Sequence, residues 1–310
     1  MTKTSKRNIW AIAGGKGGVG KSLLSSNFAI DLAEQNKKVV LIDADFGGSN
    51  IHTFFGLSSS RISISDFLTN DHLGLDDVLL PTGIANLKVS SGAYDVMGIS
   101  SPKQSYSNKL IRAIQTLPVD YVVIDLGAGT ANHTLDLFLA ADKGILVTAP
   151  EPTSVENTYR FVKTAFYRKI KTVIDHPEIR NLLEQITESK HQSNPKTPTE
   201  LVARIMRINT PAGEALKYEL ANFKLKLVIN QVRAPSDARI GFTMKQTIMK
   251  YFGIGVEYAG FIEQDSSALE SVRQRVPTLH FAPNCNASKC IRKVAHNIRK
   301  NYHLMQTGQS

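Results

Sequence analysis

Eight consecutive residues limit the folds open to this chain more than any others: Gly15-Lys16-Gly17-Gly18-Val19-Gly20-Lys21-Ser22. They stand behind a short apolar run, Ile9 to Ala13, and before a segment that places Leu24, Phe28 and Leu32 at helical spacing. Strand, glycine-rich turn and helix in that order form the phosphate-binding pattern G-x-x-x-x-G-K-[ST]. A flexible turn is the simpler reading of glycines, and the flanking elements argue against it. Glycine lets consecutive backbone N–H groups converge on phosphate oxygens with no Cβ in the way. Lys21 supplies a point charge for the β- and γ-phosphates, and the Ser22 hydroxyl can ligate Mg²⁺. The pattern needs one lysine only, so Lys16 calls for its own explanation.

The rest of the chain repeats the alternation that the loop demands. Apolar, β-branched runs at Asn8–Ala13, Lys38–Asp43, Leu87–Ser90, Tyr121–Asp125, Gly144–Thr148, Leu225–Asn230, Val256–Ile262 and Thr278–Phe281 read as strands. Helical patterns lie at 22–35, 105–116, 132–141, 153–175, 236–252, 265–273 and 287–303. The expectation is an α/β fold, a doubly wound and mostly parallel sheet in three layers, spanning 1–310 as one domain. Between the helix near Thr153 and the strand at Leu225 lie about 50 residues more than a crossover needs. Residues 176–223 are therefore read as a helical insertion. Its helical pieces are Pro177–Thr187 and Thr199–Ile208, joined by the polar, proline-bearing loop Glu188–Thr199.

Two acids follow the second strand, in Asp43-Ala44-Asp45. At positions i and i+2 of an extended end they share one face, at the sheet edge where ligands bind. A third acid, Asp125, closes the run Tyr121-Val-Val-Ile and precedes Leu126-Gly127-Ala128-Gly129. A carboxylate followed by a glycine hinge suits the holding of Mg²⁺ and the sensing of a γ-phosphate. Either acidic motif alone would read as a turn or a helix cap. Beside a phosphate loop they read as a metal and water site.

Together these residues resemble the MinD/ParA family of P-loop ATPases with a deviant Walker A sequence. The family form K-G-G-x-G-K-[ST] is matched by Lys16 to Ser22, its D-x-D segment by Asp43 and Asp45, and its D-x-x-A-G segment by Asp125 to Gly129. Within the family the flagellar FlhG/FleN branch is most similar. That likeness rests on Asp125-Leu-Gly-Ala-Gly129 and on Pro150-Glu-Pro-Thr-Ser-Val155 with Tyr159. The resemblance implies an ATP-controlled homodimer with slow hydrolysis, acting through a protein partner as a spatial or numerical regulator of flagellar or cell-division type, with a ParA-like chromosome or plasmid partitioning ATPase that binds DNA nonspecifically as the alternative. Lys16, with little to do in a monomer, would then reach the other subunit's phosphates. Asp45 would polarise the attacking water, Asp43 and Asp125 would hold Mg²⁺ with Ser22, and Asn230 would read adenine. Where relatives carry Ile-Pro-x-Asp, this chain has Ile262-Glu263-Gln264-Asp265, which predicts a looser loop at the base.

Charge and cysteines narrow the partners. The net charge of +10 is uneven. Residues 1–159 carry 13 Lys and Arg against 15 acids, whereas 271–310 carry 7 against none. An anionic partner is implied, either nonspecific DNA or a membrane surface. The basic helix expected at 287–303 either docks on the sheet, the favoured reading, or lies on anionic lipid. No apolar stretch approaches ~20 residues and no signal-peptide core precedes the first strand, so a cytoplasmic protein is expected, at most peripheral at the membrane. Cys285 and Cys290 form neither a disulfide framework nor four metal ligands. An iron–sulfur carrier is the least favoured alternative.

Overall fold

The computed structural model describes residues 8–46, 48, 51–58, 62–90, 104–188, 195 and 197–300. Eight strands form one sheet: β1 (Asn8–Ala13), β2 (Val39–Ala44), β3 (Leu79–Pro81), β4 (Leu87–Ser90), β5 (Tyr121–Leu126), β6 (Lys143–Thr148), β7 (Leu225–Val232) and β8 (Val256–Glu263). Their order is β3-β4-β2-β5-β1-β6-β7-β8. Every pair is parallel except the short β3 against β4. The strand sequence reverses direction on either side of β1, so the loop leaving β1 opens into the crevice where such sheets bind ligands.

The helices are α1 (Lys21–Glu34), α2 (Ile51–Phe54), α3 (Ile64–Thr69), α4 (Gln104–Thr116), α5 (Asn132–Ala140), α6 (Pro152–Val173), α7 (Pro177–Glu188), α8 (Pro198–Ile208), α9 (Thr210–Asn222), α10 (Pro235–Phe252), α11 (Ser266–Arg273), α12 (Thr278–Phe281) and α13 (Asn286–Arg299). They cover both sheet faces, because side chains alternate along each strand. In β1, Trp10 and Ile12 join the core beneath α1 and α13, while Ile9, Ala11 and Ala13 join the core beneath α4, α5, α6 and α10. Helix α1 is buried nearly all round, through Ser25, Ser26 and Asn27 as well as Leu24, Phe28 and Leu32. It is thus an interior helix rather than an amphipathic one. Among the described residues no helix is long and apolar enough to cross a membrane.

Three departures from the sequence reading have local causes. Thr278–Phe281 is a helical turn and not a strand. Pro277 O accepts the N–H groups of His280 and Phe281, and Leu279 N donates to Asn27 on α1. Helix α9 goes unread because Pro211 and Gly213 look like breakers. Pro211 stands in the first turn, where no N–H is needed, and a Cβ at Gly213 would lie 2.5 Å from Met206 Sδ. Helix α13 begins at Asn286 and ends at Arg299; positions 301–303 of the expected helix lie outside the described residues, as do 189–194 and 196 of the expected loop.

Helix α13 is docked on β8 and α1. Ile291, Val294, Ala295 and Ile298 face inward, and two of its cations meet acids on α1. Arg292 pairs with Glu34 at 2.6 Å and Asp31 at 3.4 Å, and Arg299 lies 3.8 Å from Asp31. Lys143, at the start of β6, donates to the carbonyls of Ile298 and Arg299 and closes the helix end. Lys289, Lys293 and Lys300 remain exposed.

Candidate functional site

The loops after β1, β2, β5, β6 and β7 all emerge at the carboxyl edge of the sheet, so parallel pairing alone brings the sequence-read residues together. Between β1 and α1 the turn takes positive φ at Gly18 (77°) and Gly20 (89°), which glycine adopts without strain. Gly15 packs against α6, where a Cβ would sit 2.2 Å from the Asn157 carbonyl. At Gly20 a Cβ would sit 2.2 Å from Asn230 Nδ2. Gly17 and Gly18 face open space, since a Cβ at either meets nothing within 4 Å. Two glycines are therefore demanded by the fold, and two stand on the side from which a phosphate would approach. Val19 is in the core, and Lys21, at 7% exposure, is buried at the first turn of α1 beside Ser22.

Asp43 and Asp125 are register partners on β2 and β5. Asp43 accepts from the backbone N–H groups of Asp45 (3.2 Å) and Ile51 (3.0 Å), and its own N–H donates to Ser90 Oγ. Asp125 is 1% exposed, and its Oδ1 has no hydrogen-bond partner. Burial, with the Asp43 charge next, pushes its carboxyl up to about 7, against the pull of Ser22, Lys21 and Ser25. Two buried carboxylates beside a hydroxyl, one oxygen unpartnered, form a donor set that fits a divalent cation. Asp45 lies one residue beyond β2, with its carboxylate against Gly127, where a Cβ would come within 3.0 Å of Oδ1. Ser25 and Ser90 carry no motif signal; only the fold shows that they touch Asp125 and Asp43.

At the other end of the loop, Asn230 Nδ2 donates to Val19 O at 2.8 Å and Gln231 Nε2 to Gly18 O at 3.0 Å. Asn230 thus braces the loop. It also lines a cavity of about 260 Å³ with Gly20, Leu23, Ile262, Glu263, Gln264 and Asp265. The loop expected to be slack for want of proline is fixed by other means. Gln264 N donates to Val232 O, Arg233 Nε donates to Gln264 Oε1, and Asp265 accepts from Ser267 N and Ala287 N.

Lys16 is not idle within its own subunit. Its Nζ donates to Glu151 Oε2 at 3.2 Å and to Thr153 Oγ1 at 3.3 Å, at the start of α6. Ser154 fixes that turn by accepting from Ala149 N and sharing a hydrogen bond with Thr148. No local pattern could have shown this, because Glu151 lies 135 residues from Lys16. Cys285 Sγ accepts from Ser288 N and caps α13, and Cys290 packs against the core. Among the described residues no three His, Cys, Asp or Glu side chains converge as a metal site.

Comparison with known proteins agrees with this geometry. Residues 5–193 match a family model described as ParA, NUBPL iron-transfer P-loop NTPase. The chain is 33% identical over 295 residues to the antiactivator FleN of Pseudomonas aeruginosa, covering 94% of this chain and 85% of that protein. Among solved structures, the septum site-determining protein MinD of Pyrococcus horikoshii, complexed with Mg-ADP, superposes with a TM-score of 0.64 at 19% identity. That match covers 95% of this chain and 97% of the other. A plasmid partition protein of Borrelia burgdorferi bound to AMPPNP gives 0.62 at 19% identity, over 96% and 100%. At such identities the structures attest the fold alone.

Proposed function

This chain belongs to the ParA family of P-loop NTPases, and we propose that it is a Mg²⁺-dependent ATPase whose ATP-bound homodimer regulates flagellar number or placement through a protein partner. The observation that carries this reading is the meeting, at one sheet edge, of the Gly15–Ser22 loop with Asp43, Asp45 and Asp125, one oxygen of which has no hydrogen-bond partner. The relative named FleN supports the flagellar assignment.

Backbone N–H groups of Gly15 to Gly20 and the Lys21 ammonium bind the β- and γ-phosphates. Ser22, Asp43 and Asp125 hold Mg²⁺, which when bound neutralises phosphate charge. Asp45 orients the attacking water, and its neighbour Gly127 leaves room for the carboxylate. Adenine enters the cavity between Gly20 and Glu263, where Asn230 is at hand. Lys16 leaves Glu151 to stabilise charge on the partner subunit's nucleotide. That exchange costs little, since an exposed ion pair contributes about 0–1 kcal/mol and Lys16 is 43% exposed.

Phosphate release from ATP tests the reading. The wild-type protein should turn over slowly and stop when EDTA removes Mg²⁺, while Asp45→Ala should still bind ATP and lose turnover. Unchanged turnover in EDTA would remove the metal from the account. A second reading, nonspecific DNA binding by the dimer as in partition, is favoured by one observation: Lys289 and Lys293 on docked α13, and Lys300 just past its end, stay exposed. Affinity for DNA should then fall steeply with salt. ATP-dependent pelleting with anionic liposomes would instead place the protein at the inner face of the membrane.

A further inference from the structure

Asp45 stands just past the end of the β2–β5 ladder. Its neighbours Asp43 and Ala44 are fixed by ladder pairing with Asp125 and Leu126, but Asp45 lies past the last pair. Its N–H donates to Asp43 Oδ1, and its carbonyl accepts a 3.3 Å bond from Gly48 N. A carboxylate that must aim a water within a few tenths of an ångström gains from a further support on the adjoining backbone. The next residue provides one. Phe46 is buried, and its ring meets the His133 imidazole edge to face, with centroids 5.3 Å apart at 66°.

His133 stands in the first turn of α5, six residues beyond Gly127, against which Asp45 rests. Helix α5 is itself firmly anchored. Leu135, Leu137 and Phe138 are in the core, and Asp136 takes two bonds from Arg168 and one from Gln104. The two loops that flank a γ-phosphate are therefore joined twice, by Asp45 on Gly127 and by Phe46 on His133. Burial holds the imidazole below its usual range, against the charges of Asp136 and Asp45, so a neutral ring packs there at physiological pH.

We propose that His133 is a positioning residue for ATP hydrolysis, its ring clasping Phe46 so that Asp45 stays fixed over Gly127. This rests on the reading that Asp45 orients the attacking water. The role is one of shape and not of proton transfer, which makes it separable from a general acid or base at the same place.

Steady-state phosphate release by the full chain, with thermal melting and fluorescent-ADP binding alongside, tests the clasp. His133→Ala should lower kcat about tenfold or more with nucleotide affinity kept, and His133→Phe should restore it to within about threefold, as aromatic packing alone suffices. Phe46→Ala should give the same loss, and Phe46→Ala/His133→Ala no further loss, as for two parts of one device. If His133→Ala folds poorly, His133→Gln, which lacks the ring but remains polar, should show the same fall in kcat. A kcat for the ring-less variants within twofold of wild type would overturn the proposal, as would a His133→Phe protein as slow as His133→Ala. Asp45→Ala separates the two readings: full activity there refutes the role of Asp45 itself. Its loss alongside an unaffected His133→Ala refutes only the clasp.

Discussion

Two buried aspartates in this protein have opposite surroundings. Asp31, on the inner face of α1, is met by Arg292 and Arg299 from α13 and by Gln35 from its own helix. Asp125, at the end of β5, faces a second carboxylate and keeps one oxygen without a partner. Burial raises the pKa of both, but cations on α13 oppose it at Asp31, whereas the Asp43 charge adds to it at Asp125. One site already has its counter-charges in the free protein, which offset part of the cost of burial. The other is left costly until something positive arrives, which is what a binding site for Mg²⁺ and nucleotide requires.

Substitution at each aspartate should therefore act on different properties. Asp125→Asn keeps the shape and removes the charge, and should cut ATP turnover by about 10²-fold or more. Its melting temperature without nucleotide should be unchanged or higher, because an unfavourable buried charge has gone. A large loss of stability there would erase the contrast.

The pH dependence of stability follows from the same shift. Burial and the Asp43 charge push the Asp125 carboxyl from its ordinary 3.8 up to about 7 in the folded chain. Between those values the folded chain retains a proton that the unfolded chain has released, so stability falls as pH rises through this window and levels off above it. Urea titrations of wild type and Asp125→Asn across pH 4 to 8 read this directly. Wild type should lose more stability than the variant as pH rises, and parallel curves would contradict the account. Mg²⁺ with nucleotide should flatten the wild-type slope.

The smallest effect is expected at Asp31. Asp31→Asn should leave ATP turnover within about twofold and change stability by no more than about 1 kcal/mol, because removing the buried charge and losing its partly exposed arginine partners act in opposite directions. Loss of turnover would show that the docking of α13 reaches the nucleotide site.

The sequence made one of these aspartates legible and hid the other. Asp125 ends an apolar run and precedes Gly127, so motif and strand end coincide. Asp31 lies within a helix, and nothing near it announces partners some 260 residues away. The strands that position the site were readable because parallel strands buried on both faces are continuous apolar runs. Thr278–Phe281 was misread because four such residues do not distinguish a strand from a buried helical turn. Helix α9 was hidden by Pro211 and Gly213, whose tolerance depends on the first-turn position and on Met206. At the site itself, the loop and acids were readable as chemistry. The Glu151 partner of Lys16 and the Phe46–His133 contact depend on tertiary proximity, which local patterns do not encode.

In the proposed function, ATP and a second copy of the chain complete the phosphate end of the site through Lys16. Light scattering coupled to size-exclusion chromatography, with saturating Mg²⁺ and ATP, measures this on two proteins, Asp45→Ala and Asp45→Ala/Lys16→Ala. Twice the monomer mass is expected for the first and the monomer mass for the second, with both still binding nucleotide. A dimer that persists without Lys16, or no dimer in either protein, would contradict it.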